Sequence, residues 1–270
     1  MILRPSDTSA RSGGFTPAWE AVARTQKKTS AKCHLIRQPD HARLAGQIAE
    51  HLALQDAPSV DDDIVRGISL HDEGWADFDC GRKRLLATPA EYDEANVAIS
   101  VEGKPLSFLE IKAGDFLHAW LGSIESAEAV APIAGLIVSG HFQRIGQFGV
   151  SLGTYSENDT EQVREFIACE EERKCRLMQI QSRTEREVEY WTDVLQFCDL
   201  LSLYLCCGSE ESVEFPQHIR PKSDAIRLRV QDGVNVLSPT PFAREVEFLL
   251  EAQRYPSELH SGSKLTWRIR

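Results

Sequence analysis

The feature that most constrains this chain is the long stretch from 106 to 207, where apolar residues recur at the spacing of amphipathic helices. Gly208 follows the last apolar repeat, as is typical of a residue that ends a helix. Pro132 marks a helix start or a kink. The pattern predicts helices over roughly 106–122, 126–147, 158–182 and 185–206.

Two further helices are predicted before this stretch. Pro39 favours a helix start, and apolar residues then follow His41 at helical spacing, namely Leu44, Ala45, Ile48 and Leu52. Ser59 is expected to cap a second helix that runs to about Gly74, because three aspartates after it suit the positive end of the helix dipole. Residues 5–31 and 76–105 show little periodicity and predict irregular or loop segments.

In the last sixty or so residues, the spacing of the apolar residues changes from the period of a helix to that of a strand. The segments "AIRLRV", "VEFLLEA" and "LTWRIR" alternate apolar and polar residues, and "QDGVN" supplies a turn. They predict an antiparallel sheet, which the N-terminal "MILR" could complete and whose edge would allow a homo-oligomer to form. We therefore expect a mainly α fold with a C-terminal antiparallel β appendage, α+β overall. The expected parts are an N-terminal strand and flexible loop (1–31), a helical domain (32–208) and the appendage packed on the helical body (209–270).

Composition narrows the classes of function. A net charge of −11 opposes binding to a nucleic acid polymer, whose backbone requires clustered Lys and Arg. The seven cysteines show neither a CxxC pair nor zinc-ribbon spacing, which suits reduced thiols in a cytoplasmic protein. The N-terminus lacks a signal-peptide core, and the longest nearly apolar run, "AVAPIAGLIVSG", is too short to span a bilayer. We expect a cytoplasmic protein that does not bind membranes.

Ionisable residues stand on the predicted apolar faces. His71 and Asp72 follow Ile64 by seven and eight positions, so the pair belongs to a core-facing stripe. The same spacing argument places three more side chains inward on other helices, namely His41, His141 and Asp199. For any one of them a hydrogen-bonded core residue is the simpler interpretation. Together, three imidazoles and two carboxylates on four inward faces favour one shared cation.

This donor set suits a divalent transition metal such as Mn, Fe, Co, Ni or Zn, bound as one or two ions. The order of His41, then the adjacent His71 and Asp72, then Asp199 resembles the HD superfamily of metal-dependent phosphohydrolases, which are helical proteins named after that dyad. The segments "RQPDHARLAGQIA", "LHDEGW" and "VSGHFQRIG" are also similar to stretches of an uncharacterised bacterial family that is HD-like.

The resemblance implies an HD-like helical bundle in which His41, His71, Asp72 and Asp199 bind a first metal, with His71 and Asp72 at the catalytic centre. Asp72 would bridge to a second ion, for which His141 and, more weakly, His118 are candidates. One departure is the late aspartate, which stands in "FCDLLS" with little other signature.

A metal at such a site would activate water for hydrolysis of a phosphomonoester or phosphodiester in a small phosphorylated molecule. The basic residues near these elements that could hold the phosphate are Arg144, Lys104, Arg37 and Arg66. Glu73 adjoins the dyad but points about 100° away on an ideal helix, which places it outside the catalytic set.

Three other interpretations use the same residues. The same ligands could hold redox-active iron, as in the di-iron oxygenases that resemble the HD fold. The site could also serve a non-catalytic metal-binding or nucleotide-binding module. In the third interpretation the polar residues pair with one another in a purely structural bundle and bind no metal. The identity of the metal and of the substrate stays open at this point.

Overall fold

Helices occupy most of the middle of the chain in the computed structural model, and strands come from both ends. The structure describes residues 1–6, 14–27, 32–54, 60–219, 225–256 and 262–270. The helices are α1 (Ala18–Lys27), α2 (Gln38–Glu50), α3 (Asp62–Leu70), α4 (Ala76–Asp79), α5 (Ala113–Glu128), α6 (Pro132–Leu152), α7 (Glu157–Met178) and α8 (Glu185–Cys207). The strands are β1 (Ile2–Pro5), β2 (Thr16–Pro17), β3 (Cys33–Ile36), β4 (Glu91–Tyr92), β5 (Ala98–Ile99), β6 (Val213–Phe215), β7 (Ile226–Gln231), β8 (Val234–Ser238), β9 (Val246–Tyr255) and β10 (Gly262–Ile269).

Eight of these strands form one mixed sheet in the order β1–β3–β9–β10–β8–β7–β6–β2. Most neighbours are antiparallel, but β10 runs parallel to β8 and β2 runs parallel to β6. The N-terminal strand β1 joins the sheet through β3, which pairs with β9. The long C-terminal strands are therefore interior members of the sheet and do not supply the edge on which we based the expectation of self-association.

This sheet corrects the expected fold class. The prediction of a mainly α, HD-like helical bundle with a C-terminal antiparallel β appendage is wrong, since the structure is a mixed α/β fold with a large mixed sheet. Strands from the two ends of the chain pair with each other, as Cys33 does with Tyr255, and pairing at that separation leaves no local sequence signal. Helices and sheet also share one continuous core, which includes Leu44 of α2, Leu201 of α8 and Phe248 of β9.

The alternating C-terminal segments do form strands, as predicted. In β9, every second side chain from Val246 to Ala252 is buried, because one face of the sheet packs against the helices. The hairpin between β7 and β8 turns at Asp232 and Gly233, whose φ values of 51° and 74° match the left-handed pair that a tight hairpin needs.

Helix α1 lies in the segment that the sequence predicts to be irregular, so that prediction is wrong for residues 18–27. The helix is short, and small side chains at helical spacing, Ala18, Ala21 and Val22, are buried where it packs on α8. Its Gln26 side chain accepts a hydrogen bond from the Leu3 amide at 3.0 Å and donates to the Leu3 carbonyl at 2.6 Å. Gln26 therefore satisfies the free edge of β1.

Helix α3 ends earlier than predicted, at Leu70 rather than near Gly74. Its expected N-cap, Ser59, lies outside the described residues, and the Asp61 carboxylate caps it by accepting from the Ile64 amide at 3.0 Å. A 3₁₀ turn, Glu73–Trp75, follows. The dyad therefore stands at the point where the helix stops, and Asp72 is free to turn away from the helical path.

The segment 76–105 contains α4 and the β4–β5 hairpin as well as loops. The segment is hydrogen-bonded to α5, where the buried Asp115 carboxylate accepts three hydrogen bonds from the main-chain amides of residues 86 to 88. Within the described part of the chain, no helix combines the length and the apolar character needed to cross a membrane.

Candidate metal centre

Five ionisable side chains converge where α2, α3, α6 and α8 pack together. They come from the first turn of α2, the end of α3 and the interiors of α6 and α8, and they are His41, His71, Asp72, His141 and Asp199. All are buried, and the two aspartates retain the most exposure, with side chains 9% and 13% accessible against 1–2% for the histidines. The group is closed on its histidine side and reaches solvent on its carboxylate side.

His41 is held by hydrogen bonds from both ring nitrogens. Its Nδ1 lies 2.9 Å from the Ser202 hydroxyl, and its Nε2 lies 2.7 Å from Asp72 Oδ2. Ser202 Oγ also lies 2.8 Å from the Asp199 main-chain oxygen, and when its single proton is donated there, Nδ1 donates to Ser202. Nε2 then faces a carboxylate, and this contact needs a proton or a metal cation between the two atoms.

His71 is arranged in the same way by a different acceptor. Its Nδ1 donates to the Ile68 carbonyl at 2.7 Å, because a carbonyl oxygen can only accept. Its Nε2 lies 3.2 Å from Asp199 Oδ1 and 3.9 Å from Asp72 Oδ2. Both histidines therefore aim Nε2 at carboxylates while the other nitrogen is fixed, which is the arrangement that metal-bound histidines adopt.

The donor set and its charge fit a divalent cation. One ligand atom from each of His41, His71 and Asp199 lies within 4.8 Å of the other two, so these three residues could hold a metal ion. Asp72 stands beside them through its contacts with both histidines. Two carboxylates with neutral imidazoles carry two negative charges, which one divalent ion would neutralise, and mixed nitrogen and oxygen donors suit a transition metal.

The electrostatics of the metal-free group follow from these contacts. Burial by itself lowers the pKa of His71, but the hydrogen bond to Asp199 and the charges of both aspartates more than offset it and raise that pKa to about 9. Burial raises the pKa of Asp199, and the hydrogen bond and charges of the histidines outweigh burial and lower it to about 2. A proton thus occupies the place between His71 and Asp199 that a cation would take.

His141 belongs to the group more loosely. Its Nε2 lies 3.9 Å from Asp199 Oδ2, and its ring stands edge-on to that of His71 with the ring centres 5.4 Å apart. Its Nδ1 is buried and has no hydrogen-bond partner within the described residues. Burial lowers the pKa of His141 to about 4, so its imidazole is neutral at neutral pH. The side chain is available as a further nitrogen donor on the Asp199 side.

The structure places His118 outside this group. Its imidazole is exposed on α5, where it contacts the Lys83 ammonium and the ring of Phe78. A second metal position built from His118 is therefore not formed by the residues as they stand. Helical spacing did not predict this, since Asp115, three positions earlier on α5, is buried while His118 is exposed.

The basic residues considered for phosphate binding are also directed elsewhere. The Arg144 guanidinium donates to Asp193 at 2.5 Å, and Asp193 lies six positions before Asp199, about 240° around α8. Lys104 is exposed and pairs with Glu102 at 3.1 Å in a surface turn. Two further candidates, Arg37 and Arg66, are exposed at the surface. The described contacts of these four residues do not reach the buried group.

Sequence reasoning missed Ser202 and the Ile68 carbonyl, the two groups that orient the histidines. Ser202 follows Asp199 by three positions in an otherwise apolar run, so its inward hydroxyl was visible in the sequence. The role of the Ile68 carbonyl depends on α3 ending at Leu70, which the sequence did not predict.

Fold and site together define a mixed α/β protein with a buried cluster of histidines and aspartates that could hold a metal ion. A family model described as "Protein of unknown function (DUF3891)" matches residues 25–256. The chain therefore belongs to the DUF3891 family. No curated protein and no solved structure matches the chain.

Proposed function

We propose that this protein is a metal-dependent hydrolase that acts on a small phosphorylated molecule, either a phosphomonoester or a phosphodiester. The observation that carries the proposal is the orientation of His41 and His71. Each has Nδ1 engaged by a fixed acceptor and Nε2 directed at a buried carboxylate. A histidine whose Nδ1 is held by an acceptor and whose Nε2 faces an acid has the orientation of a metal ligand, and two such histidines share this site.

The residues that would hold the ion are His41, His71, Asp72 and Asp199, and His141 would add a donor on the Asp199 side. When bound, a divalent metal supplies Lewis acidity and makes water a nucleophile near neutral pH. The order of the ligands in the chain, with the adjacent His71 and Asp72, resembles that of HD phosphohydrolases and supports hydrolysis of a phosphate ester.

The chain's own residues shape how a substrate would reach this site. The histidine side is closed, so a substrate would approach over the two carboxylates, Asp72 and Asp199, which keep some exposure. In hydrolysis a water oxygen forms a bond to phosphorus, the ester P–O bond breaks, and the water proton passes to the leaving alcohol. Because Arg144, Lys104 and Arg37 are engaged or exposed elsewhere, they do not carry phosphate recognition in this arrangement.

The geometry favours a single ion over two. Among the described residues, one group of ligand atoms lies close enough together for a metal, and His118 is not part of it. A di-iron oxygenase needs a second, fully ligated iron, so the hydrolase is the better supported activity. A non-catalytic metal-binding module would use the same ligands and differs only in showing no turnover.

The proposal is tested by elemental analysis of the purified protein together with three variants. His71→Ala and Asp199→Ala each remove a ligand, whereas His118→Ala removes an exposed histidine and is the matched control. We expect the parent and His118→Ala to hold about one transition-metal ion per chain and both ligand variants to lose it. A screen of phosphomonoesters and phosphodiesters with several divalent metals then follows on the same four proteins.

The outcomes separate the possible functions. Turnover that needs the metal and disappears in His71→Ala and Asp199→Ala supports the hydrolase. Stoichiometric metal without turnover on either ester class favours the non-catalytic module. A parent protein that holds no metal even after reconstitution contradicts the proposal at its first step.

A further inference from the structure

Ser202 is a fully buried hydroxyl on α8 that contacts one of the candidate metal ligands. We propose that Ser202 is a positioning residue that holds His41 as the Nδ1–H tautomer and so leaves Nε2 free to bind the metal. This inference rests on the metal-dependent function proposed above, and it assigns to that site a residue that the ligand motif does not include.

The assignment follows from the number of protons available. Ser202 Oγ lies 2.8 Å from the Asp199 main-chain oxygen, which can only accept, and in this role the hydroxyl donates its proton there. Ser202 Oγ also lies 2.9 Å from His41 Nδ1, and with its proton donated elsewhere it can only accept a hydrogen bond in this contact. His41 must therefore donate from Nδ1, and the lone pair of the neutral ring falls on Nε2, which faces Asp72.

The two histidines are oriented by acceptors of different kinds. His71 Nδ1 donates to the Ile68 carbonyl three residues earlier in its own segment. His41 Nδ1 instead meets a hydroxyl from another helix, Ser202 of α8. The orientation of His41 therefore depends on a side chain that can be replaced. Through its bond to the Asp199 carbonyl, Ser202 also links two candidate ligands from different helices.

Ser202, His41 and Asp72 form a row that has the residue types of a serine hydrolase triad, with contacts of 2.9 Å and 2.7 Å. A nucleophile would have to give its proton to the histidine and be open to substrate. Ser202 does neither, because it has no solvent exposure and its proton is held by a main-chain carbonyl. The row therefore serves to orient His41.

The test is a competition titration of the metal-stripped full-length protein with Zn²⁺ against a chromophoric chelator. Ser202→Ala should weaken zinc binding about 10- to 100-fold, the usual effect of losing such an outer partner. Ser202→Thr keeps the hydroxyl and should bind zinc nearly as the parent does. Thr192→Val is the matched control, since Thr192 is also buried on α8 and its hydroxyl donates to a main-chain carbonyl, 2.8 Å away, without touching a ligand.

A second measurement does not depend on any variant folding. Nitrogen-15 spectra of the zinc-loaded parent should show His41 with a proton on Nδ1 and the metal on Nε2. Zinc on Nδ1, or zinc affinity in a folded Ser202→Ala protein equal to that of the parent, would overturn the role of Ser202 and leave the proposed function standing. A parent that binds no zinc or other transition metal would overturn both.

Discussion

Gly74 is the residue whose replacement tests most directly how the dyad is positioned. It lies in the 3₁₀ turn after Asp72 and packs against α5, where its amide donates to the Ser123 hydroxyl at 3.0 Å. A Cβ atom at this position would stand 2.7 Å from the Ser123 main-chain nitrogen and closer still to the Ala119 carbonyl oxygen. Both are backbone atoms of a helix and cannot rotate aside.

We therefore expect Gly74→Ala to push the turn away from α5 by roughly an ångström and to lower the free energy of unfolding by about 1–3 kcal/mol, as overpacking usually does. Because Asp72 is two residues away on the same turn, its carboxylate should move with it. Zinc affinity should fall about 10- to 100-fold, as when the support of a ligand is lost. Urea unfolding and zinc titration measure the two effects.

Gly262→Ala is the matched control, since a Cβ at Gly262 meets nothing within 4 Å. It should leave both the urea midpoint and zinc affinity unchanged. The reasoning fails if Gly74→Ala behaves like Gly262→Ala in both assays. It also fails in part if stability falls while zinc affinity holds, because the turn would then not position Asp72.

Two further predictions concern the metal-free protein. The pKa of His71 is raised to about 9 in the folded state, against about 6.5 when unfolded, so the folded protein keeps a proton that the unfolded chain loses between these values. The contribution of His71 to the free energy of unfolding should therefore be complete below about pH 6.5 and should be lost as pH rises through 9. Urea midpoints measured across this range would show the decline, and His71→Gln should make the pH profile flatter. Asp61→Ala should cost about 0.5–2 kcal/mol of unfolding free energy, because it removes the cap of α3 and also the ion pair of the same carboxylate with Arg183. The exposed Asp62 should tolerate alanine, and equal losses of the two variants in urea would contradict this.

Much of the local structure could be predicted from the sequence because it depends on short-range spacing. The helical period after His41 and through 185–206 corresponds to α2 and α8, and the alternation near the C-terminus corresponds to β7, β9 and β10. Gly208 ends α8 with a φ of 70°, as its conformational freedom suggested. Helix α1 escaped prediction because its buried face consists of small and polar residues, among them Ala18, Ala21 and Thr25, which give a weak apolar signal.

The candidate site was predictable in part for the same reason. Inward placement of His41, His71 and Asp199 follows from helical spacing, and the structure brings ligand atoms of these three residues within 4.8 Å. Arg144 could not be judged in this way, because its partner Asp193 is set by how α6 lies against α8. His118 likewise depends on which face α5 presents to its neighbours.

What the sequence determined by itself is the type of the strongly periodic segments and the side that their inward histidines and aspartates occupy, since both follow from a period of two or 3.6 residues. Tertiary structure alone decided that strands from both ends of the chain form one mixed sheet, since strands that pair in it, such as β3 and β9, lie far apart in the sequence. It also decided that α3 stops before the dyad and that Ser202 meets His41. These features depend on which elements pack together. The spacing of apolar residues along one segment shows which side is buried, but it does not show which other segment covers that side.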